Sequence, residues 1–129
     1  MTAVAYILVG FGGAVGGGSR FMISDIIGIR LGTSFPWGTL IVNVSGALII
    51  GAFAGFPRLS VSSHEHALVT DFFVTGVLGG YTTVSSFCMQ TINLVLNGKN
   101  AFAAFNIVGS TVLCLLAVAG GYYAASNSW

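Results

Sequence analysis

The chain reads as an all-α integral membrane protein of four transmembrane helices, with the third helix broken near mid-membrane. Three observations carry that reading. First, charge is scarce: the 129 residues include four Lys or Arg and three Asp or Glu, 5% of the chain, where soluble domains carry roughly 25%. The surface of a globule built from so few charges would be dominated by large apolar patches. Second, 55% of the residues are hydrophobic and the mean hydropathy is +0.94. A helical crossing of the hydrocarbon core takes roughly 20 apolar residues, so the length holds about four crossings, short loops and no second domain. Third, the third apolar stretch is much longer than one crossing needs and carries a glycine pair at its centre.

The first span is expected over 3–27 and is crowded with glycine, Gly10, Gly12, Gly13, Gly16, Gly17 and Gly18 among them. Glycine weakens a helix in water, but in lipid it lets helices approach closely. The second span, 37–56, lies between Pro36 and Pro57, both sensible bounds for a helix. The third runs over 66–96 and the fourth over 101–125. Within the third, Gly79-Gly80-Tyr81-Thr82-Thr83-Val84-Ser85-Ser86-Phe87 makes a poor helix centre, and a break is expected near 79–83. Carbonyls and amides freed there need protein, water or an ion as partners, since lipid satisfies none of them. The competing reading is a continuous helix whose glycines serve packing and whose hydroxyls bond back one turn.

Charge gives weak orientation. Arg30 and Lys99, with Arg20 if it counts as flanking, fall on one side against Arg58 on the other. Taken alone this puts both termini outside, and a chain so poorly biased is also able to insert both ways. A net charge of +1 offers no footprint for nucleic acid. Cys88 and Cys114 sit in apolar runs and read as small buried hydrophobes rather than a disulfide. The N-terminus has no basic region followed by a short apolar core and cleavage site, so no signal peptide is expected.

The polar residues inside the spans each have two readings. Asn43 is an interhelical hydrogen-bonding group or a donor facing an anion path. Asn106 and Ser110 lie four apart and share a helix face, as packing glue or as part of such a path. Arg20 either snorkels to the interface or sits at a pore mouth and concentrates anions. Phe87 is ordinary core on its own. His64, Glu65 and His66 read as a solvated turn. No carboxylate lies mid-span except Asp71, early in the third stretch, and Asp25 lies near an interface, so a proton-coupled transporter lacks its usual titrating group. No Ser–His–Asp set, metal cluster or phosphate loop is present, which leaves no basis for an enzyme.

These features together resemble the Fluc fluoride channels, also called the CrcB family. The resemblance covers nearly the whole chain. It rests on the Gly-rich first span with Arg20, on Trp37-Gly38-Thr39-Leu40-x-Val42-Asn43, and on Gly79-Gly80-x-Thr82-Thr83-x-Ser85-x-Phe87. It implies a multi-pass protein of the cell membrane that exports fluoride passively and protects the cytoplasm. It also implies an antiparallel, dual-topology dimer in membrane lipid, with two pores. A structural sodium ion (Na+) would be held at the dimer interface by backbone carbonyls, here those of Gly79 and Thr82. The implied fluoride pathway maps onto Asn43, Ser85, Ser86, Phe87, Asn106 and Ser110, and Arg20 matches the vestibule arginine. Small hard cations want oxygen ligands, a twofold axis doubles the ligand count, and the positive edge of an aromatic ring can face an anion.

The chain departs from that pattern at three positions. Val84 stands where the family has the first of two phenylalanines, Gln90 where it usually has glutamate, and Asn106 where it often has an aromatic or histidine donor. Val84 offers no aromatic edge. The chain is therefore expected as a homodimer or as one member of a heterodimer with a related subunit. Three rival readings remain: a small four-helix multidrug-type exporter, a purely structural membrane subunit, and a non-conducting partner of a heteromeric fluoride channel. The exporter predicts a glutamate in the first span, and none is present.

Overall fold

The structure is a computed structural model that describes residues 3–56 and 64–127. Every regular element among them is helical. α1 spans Ala3–Leu31 and α2 spans Trp37–Gly55. α3 starts as an α-helix over His64–Thr70, widens to a π-helix over Asp71–Leu78 and closes with a turn of α-helix over Gly79–Tyr81. α4 spans Val84–Leu96 and α5 spans Asn100–Ser126. Four segments are long and apolar enough to cross a membrane: Ala3–Leu31, Trp37–Gly55, Ala67–Leu96 and Asn100–Ser126. The third of these contains the junction between α3 and α4. Pro57 and Arg58 lie outside the described residues.

Three local expectations need correction. α1 continues four residues past the expected end at 27, so Arg20 lies well inside it rather than near its end. His64, Glu65 and His66 open α3 instead of forming a turn. Cys88 is exposed, because it lies on a face of α4 that no other described element covers; both cysteines are free.

Two helix pairs build the molecule, α1 against α3 and α2 against α5. Both pairs touch through glycine. A Cβ at Gly12 would lie 2.7 Å from the Phe72 carbonyl oxygen, and one at Gly16 would overlap the carbonyl of Val77. Gly80 returns the contact, with Gly13's carbonyl oxygen 2.5 Å from where its Cβ would stand. Across the other pair, Gly51 meets the Val118 carbonyl and Gly121 meets that of Leu48. Backbone-to-backbone approach of this kind maximises dispersion contact where lipid supplies no hydrophobic drive between helices. Many large apolar residues, Ile7, Phe21, Ile29, Leu96 and Tyr123 among them, lie on the outside, as a lipid-facing surface requires.

The end where α1 meets α2 is closed by rings. Phe35, 4% exposed, packs on Trp37 at a centroid distance of 4.7 Å and on Phe105 at 5.4 Å. This cluster pins the 32–36 connection to α5. Gly32 turns the chain out of α1 with φ +87°, a conformation glycine adopts without the Cβ penalty.

Candidate functional site

The backbone leaves the helix at two residues. Thr82 has φ −77° and ψ 156°, and Thr83 has φ −151° and ψ 124°. Gly79 and Gly80, the pair expected to break the helix, remain helical, and Gly80 serves contact with α1. The extended step falls where two β-branched threonines follow, residues that fit extended backbone well.

Asn43 holds this step in place. Its Nδ2 donates to the Thr83 carbonyl oxygen at 2.9 Å, and its Oδ1 accepts from the Thr83 amide at 2.8 Å. The paired contact copies a backbone ladder and fixes which end of the carboxamide is which. It also takes the Thr83 amide away from Gly79, whose carbonyl would accept it in a continuous α-helix. One Asn43 amide proton is left over.

Thr83, 7% exposed, then caps α4. Its Oγ1 accepts from the Ser86 amide at 3.2 Å and donates to Ser86 Oγ at 3.3 Å. Ser85 Oγ lies 3.1 Å from the same atom. Since the Thr83 proton goes to Ser86, Ser85 must be the donor in that contact. The Ser86 hydroxyl proton stays unspent. Replacing an N-cap threonine typically costs about 0.5–2 kcal/mol, so the cap also stabilises the start of α4.

A second polar row joins α4 to α5. Asn106 Nδ2 donates to Thr91 Oγ1 at 2.8 Å, Thr91 Oγ1 donates to the Phe87 carbonyl at 2.7 Å, and Ser110 Oγ donates to Asn106 Oδ1 at 3.3 Å. Asn106 is 2% and Ser110 7% exposed. Three participants were not singled out in the sequence. Thr91 closes the row; its position four residues after Phe87 was the available signal. Ser45 and Tyr81 meet at 2.9 Å, and Ser45 donates to the Val42 carbonyl at 3.1 Å, which makes Tyr81 the donor between them. No local pattern marks that pair.

Asn43, Gly79, Thr82, Thr83, Val84, Phe87 and Ser110 line one groove of about 530 Å³, with Cys114 in its wall. Ser85 and Ser86 line a neighbouring pocket of about 230 Å³ with Met89 and Gln90. Arg20 lines neither and lies elsewhere on α1. Asn106 stands behind the groove, touching it through Ser110. Gln90 Oε1 is buried without a hydrogen-bond partner among the described residues. Val84 is 74% exposed at the groove. Among the described residues no three His, Cys, Asp or Glu side chains gather around one point.

The arrangement presents amide and hydroxyl donors, an aromatic ring and freed carbonyls around one interrupted helix. Such groups are suited to contact with a small ion. Comparison with known proteins gives the family. Residues 7–122 match the family model described as "CrcB-like protein, Camphor Resistance (CrcB)". The chain is 51% identical over 122 residues to "Fluoride-specific ion channel FluC 3" of Brucella suis biovar 1, covering 95% of this chain and 92% of that protein. It is 47% identical over 120 residues to "Fluoride-specific ion channel FluC" of Opitutus terrae, covering 93% and 91%. It is 43% identical over 122 residues to the protein of that name in Rhodospirillum rubrum, covering 95% of each. With four membrane-crossing segments and relatives along nearly its whole length, this multi-pass membrane protein belongs to the CrcB-like family.

Proposed function

We propose that the chain forms a fluoride-selective channel that lets fluoride leave the cytoplasm down its gradient. The observation that carries this reading is the Asn43–Thr83 lock, which holds the helix open and sets donors and the Phe87 ring around one groove. The relatives' names supply the ion. Fluoride is small and strongly hydrated, so entry requires donors that replace its water. The spare Asn43 amide proton and the Ser86 hydroxyl are the free donors, while Thr91, Asn106 and Ser110 orient one another. Ser85 and Ser110, whose protons are spent, offer lone pairs and a polar wall.

The functional unit in this reading is an antiparallel dimer in the membrane, with the break near its midplane. The groove is open on one side, and Val84 stands exposed on it, as a surface that a second subunit covers. The sodium ion fits the residues present. The Gly79 carbonyl has lost its amide partner to Asn43, and Thr82, extended, directs its carbonyl out of the helical pattern. Gly79 and Thr82 would hold the ion, and twofold symmetry would double their oxygens. Bound there, sodium would neutralise the exposed carbonyls and tie the two breaks together. Arg20 lies about 15 Å along the α1 axis from Arg30, at 1.5 Å per residue, and in this reading it supplies positive potential from within the span. Val84 keeps the second form of the proposal alive, a dimer with a related subunit that carries the aromatic ring this chain lacks.

Fluoride release from liposomes holding only this purified chain tests the proposal, with chloride as the control ion. Fast fluoride release with chloride retained is the expected result. Silence from folded, dimeric protein would overturn the homodimeric channel and turn the test to co-reconstitution with a related subunit.

A further inference from the structure

A third cavity, of about 320 Å³, opens at the end of the molecule where the 32–36 connection meets the loop between α4 and α5. Its polar lining includes Ser24, Thr33, Ser34, Thr39, Gln90, Asn93, Asn97 and Lys99, and no acidic side chain among the described residues lines it. Gln90 also lines the pocket of Ser85 and Ser86, so its side chain borders both the outer cavity and the pocket of the hydroxyls beside the break. The buried Gln90 Oε1 has no hydrogen-bond partner among the described residues, so no bond at that atom fixes the carboxamide, whose Nε2 is a donor in either orientation.

Lys99 is held at the mouth from both directions. Gly98 adopts φ +71°, and the Lys99 amide donates to the Leu94 carbonyl at 2.8 Å while the Gly98 amide donates to that of Val95 at 2.9 Å. This closes α4 as a Schellman-type turn and spends its terminal carbonyls. Asn97 takes up the Asn93 carbonyl twice, through its backbone amide at 3.1 Å and Nδ2 at 2.7 Å. The Lys99 carbonyl in turn accepts from Ala103 at 3.0 Å. The negative end of α4 is thus capped, and Lys99 is the charged side chain of the cavity. α2 starts in the same wall with Pro36 as its cap and no side-chain cap bond, which adds the positive end of a helix to the potential.

We propose that this cavity is a capture site for a small anion, with Lys99 as its attracting charge and Gln90 as the septum that passes the anion to the Ser86 pocket. The proposal rests on the channel reading and adds to it a residue and a route. Arg20 lines no part of this cavity, so the charge at this mouth is Lys99's.

Initial fluoride efflux from proteoliposomes tests it, for wild type, Lys99→Gln, Lys99→Arg and Arg30→Gln, each first checked for monodisperse elution. Ionic strength is set with an impermeant salt. A focusing charge acts across a Debye length of roughly 30 Å at 0.01 M and about 3 Å at 1 M. Lys99→Gln is therefore expected to slow efflux about threefold or more at the low setting and to match wild type at the high one. Lys99→Arg should keep the wild-type rate, and Arg30→Gln, which removes a charge beside the cavity but not in its lining, should slow efflux less than Lys99→Gln does. Equal rates for Lys99→Gln and wild type at low ionic strength would overturn the capture site and leave the channel reading intact. A loss that is the same at both salt settings, or that Arg30→Gln equals, would also overturn it. No fluoride release from the wild type would sink both.

Discussion

The two halves of the third crossing are held by opposite means. α3 is gripped by α1 through backbone contact, with Gly12 and Gly16 against the Phe72 and Val77 carbonyls and Gly80 against Gly13. α4 is held by side-chain hydrogen bonds, from Asn43 to Thr83 at its start and from Asn106 to Thr91 along its flank. The first contact is steric and is made by backbone. The second is built of amides and hydroxyls whose bonding capacity exceeds what the fold consumes, and the surplus lies at the groove for Asn43 and at the neighbouring pocket for Ser86. In such a molecule the part that must be rigid is set by what is missing from the side chain, and the part proposed to meet an ion is set by what the side chain still has to give.

Substitutions separate the two kinds of hold. The largest effect is expected at Gly16, where a Cβ has no space: Gly16→Val should abolish monodisperse protein in detergent, since overpacking a tight contact costs about 1–3 kcal/mol or more. Gly10→Ala or Gly18→Ala, on the same helix with open space at the Cβ position, should elute as wild type, which keeps the comparison clean. Next comes Asn43→Asp. It keeps the acceptor for the Thr83 amide, sets an oxygen against the Thr83 carbonyl and adds negative charge beside the groove. Fluoride flux should drop by about tenfold or more, equivalent to ~1.4 kcal/mol, with protein that still elutes normally. Smaller again is Thr91→Val. It unties Asn106 from α4 and should lower the melting temperature by the loss of one hydrogen bond, about 0.5–1.5 kcal/mol, with a several-fold drop in flux. The smallest is Val84→Phe. Val84 is exposed within the single chain, so the larger ring needs no repacking inside its own subunit, and a rise in flux of about twofold is expected if an aromatic edge there assists the anion. No gain would mean that Phe87 and the donors suffice.

Much of this was legible in the chain. Scarcity of charge and four apolar runs were enough for the four crossing segments, because burial in lipid is decided by composition over some twenty residues. The Gly-Gly-Tyr-Thr-Thr run located an irregularity, but its mechanism was not readable. Glycine lowers helix propensity wherever it stands, and only the neighbouring α1 decides that Gly80 is used for contact while Thr82 and Thr83 carry the extended step. Asn43 stood out as a buried amide, yet its partner is 40 residues away in sequence, and no local pattern encodes that distance. The same holds for Tyr81 and Ser45, 36 apart. The exposure of Cys88 was misjudged for a related reason: an apolar run does not say which face of a helix the rest of the chain leaves uncovered. Lys99 looked like a loop charge until the turn at Gly98 placed it over a cavity.

The central claim is that the Asn43–Thr83 lock builds a fluoride path. Parallel fluoride and chloride efflux from vesicles holding wild type or Asn43→Asp at equal protein density tests it most directly. Wild type should release fluoride and retain chloride, and Asn43→Asp, eluting as folded protein, should release fluoride about tenfold or more slowly and retain chloride. Flux through Asn43→Asp equal to wild type, or chloride leaving the wild-type vesicles as fast as fluoride, would contradict the account.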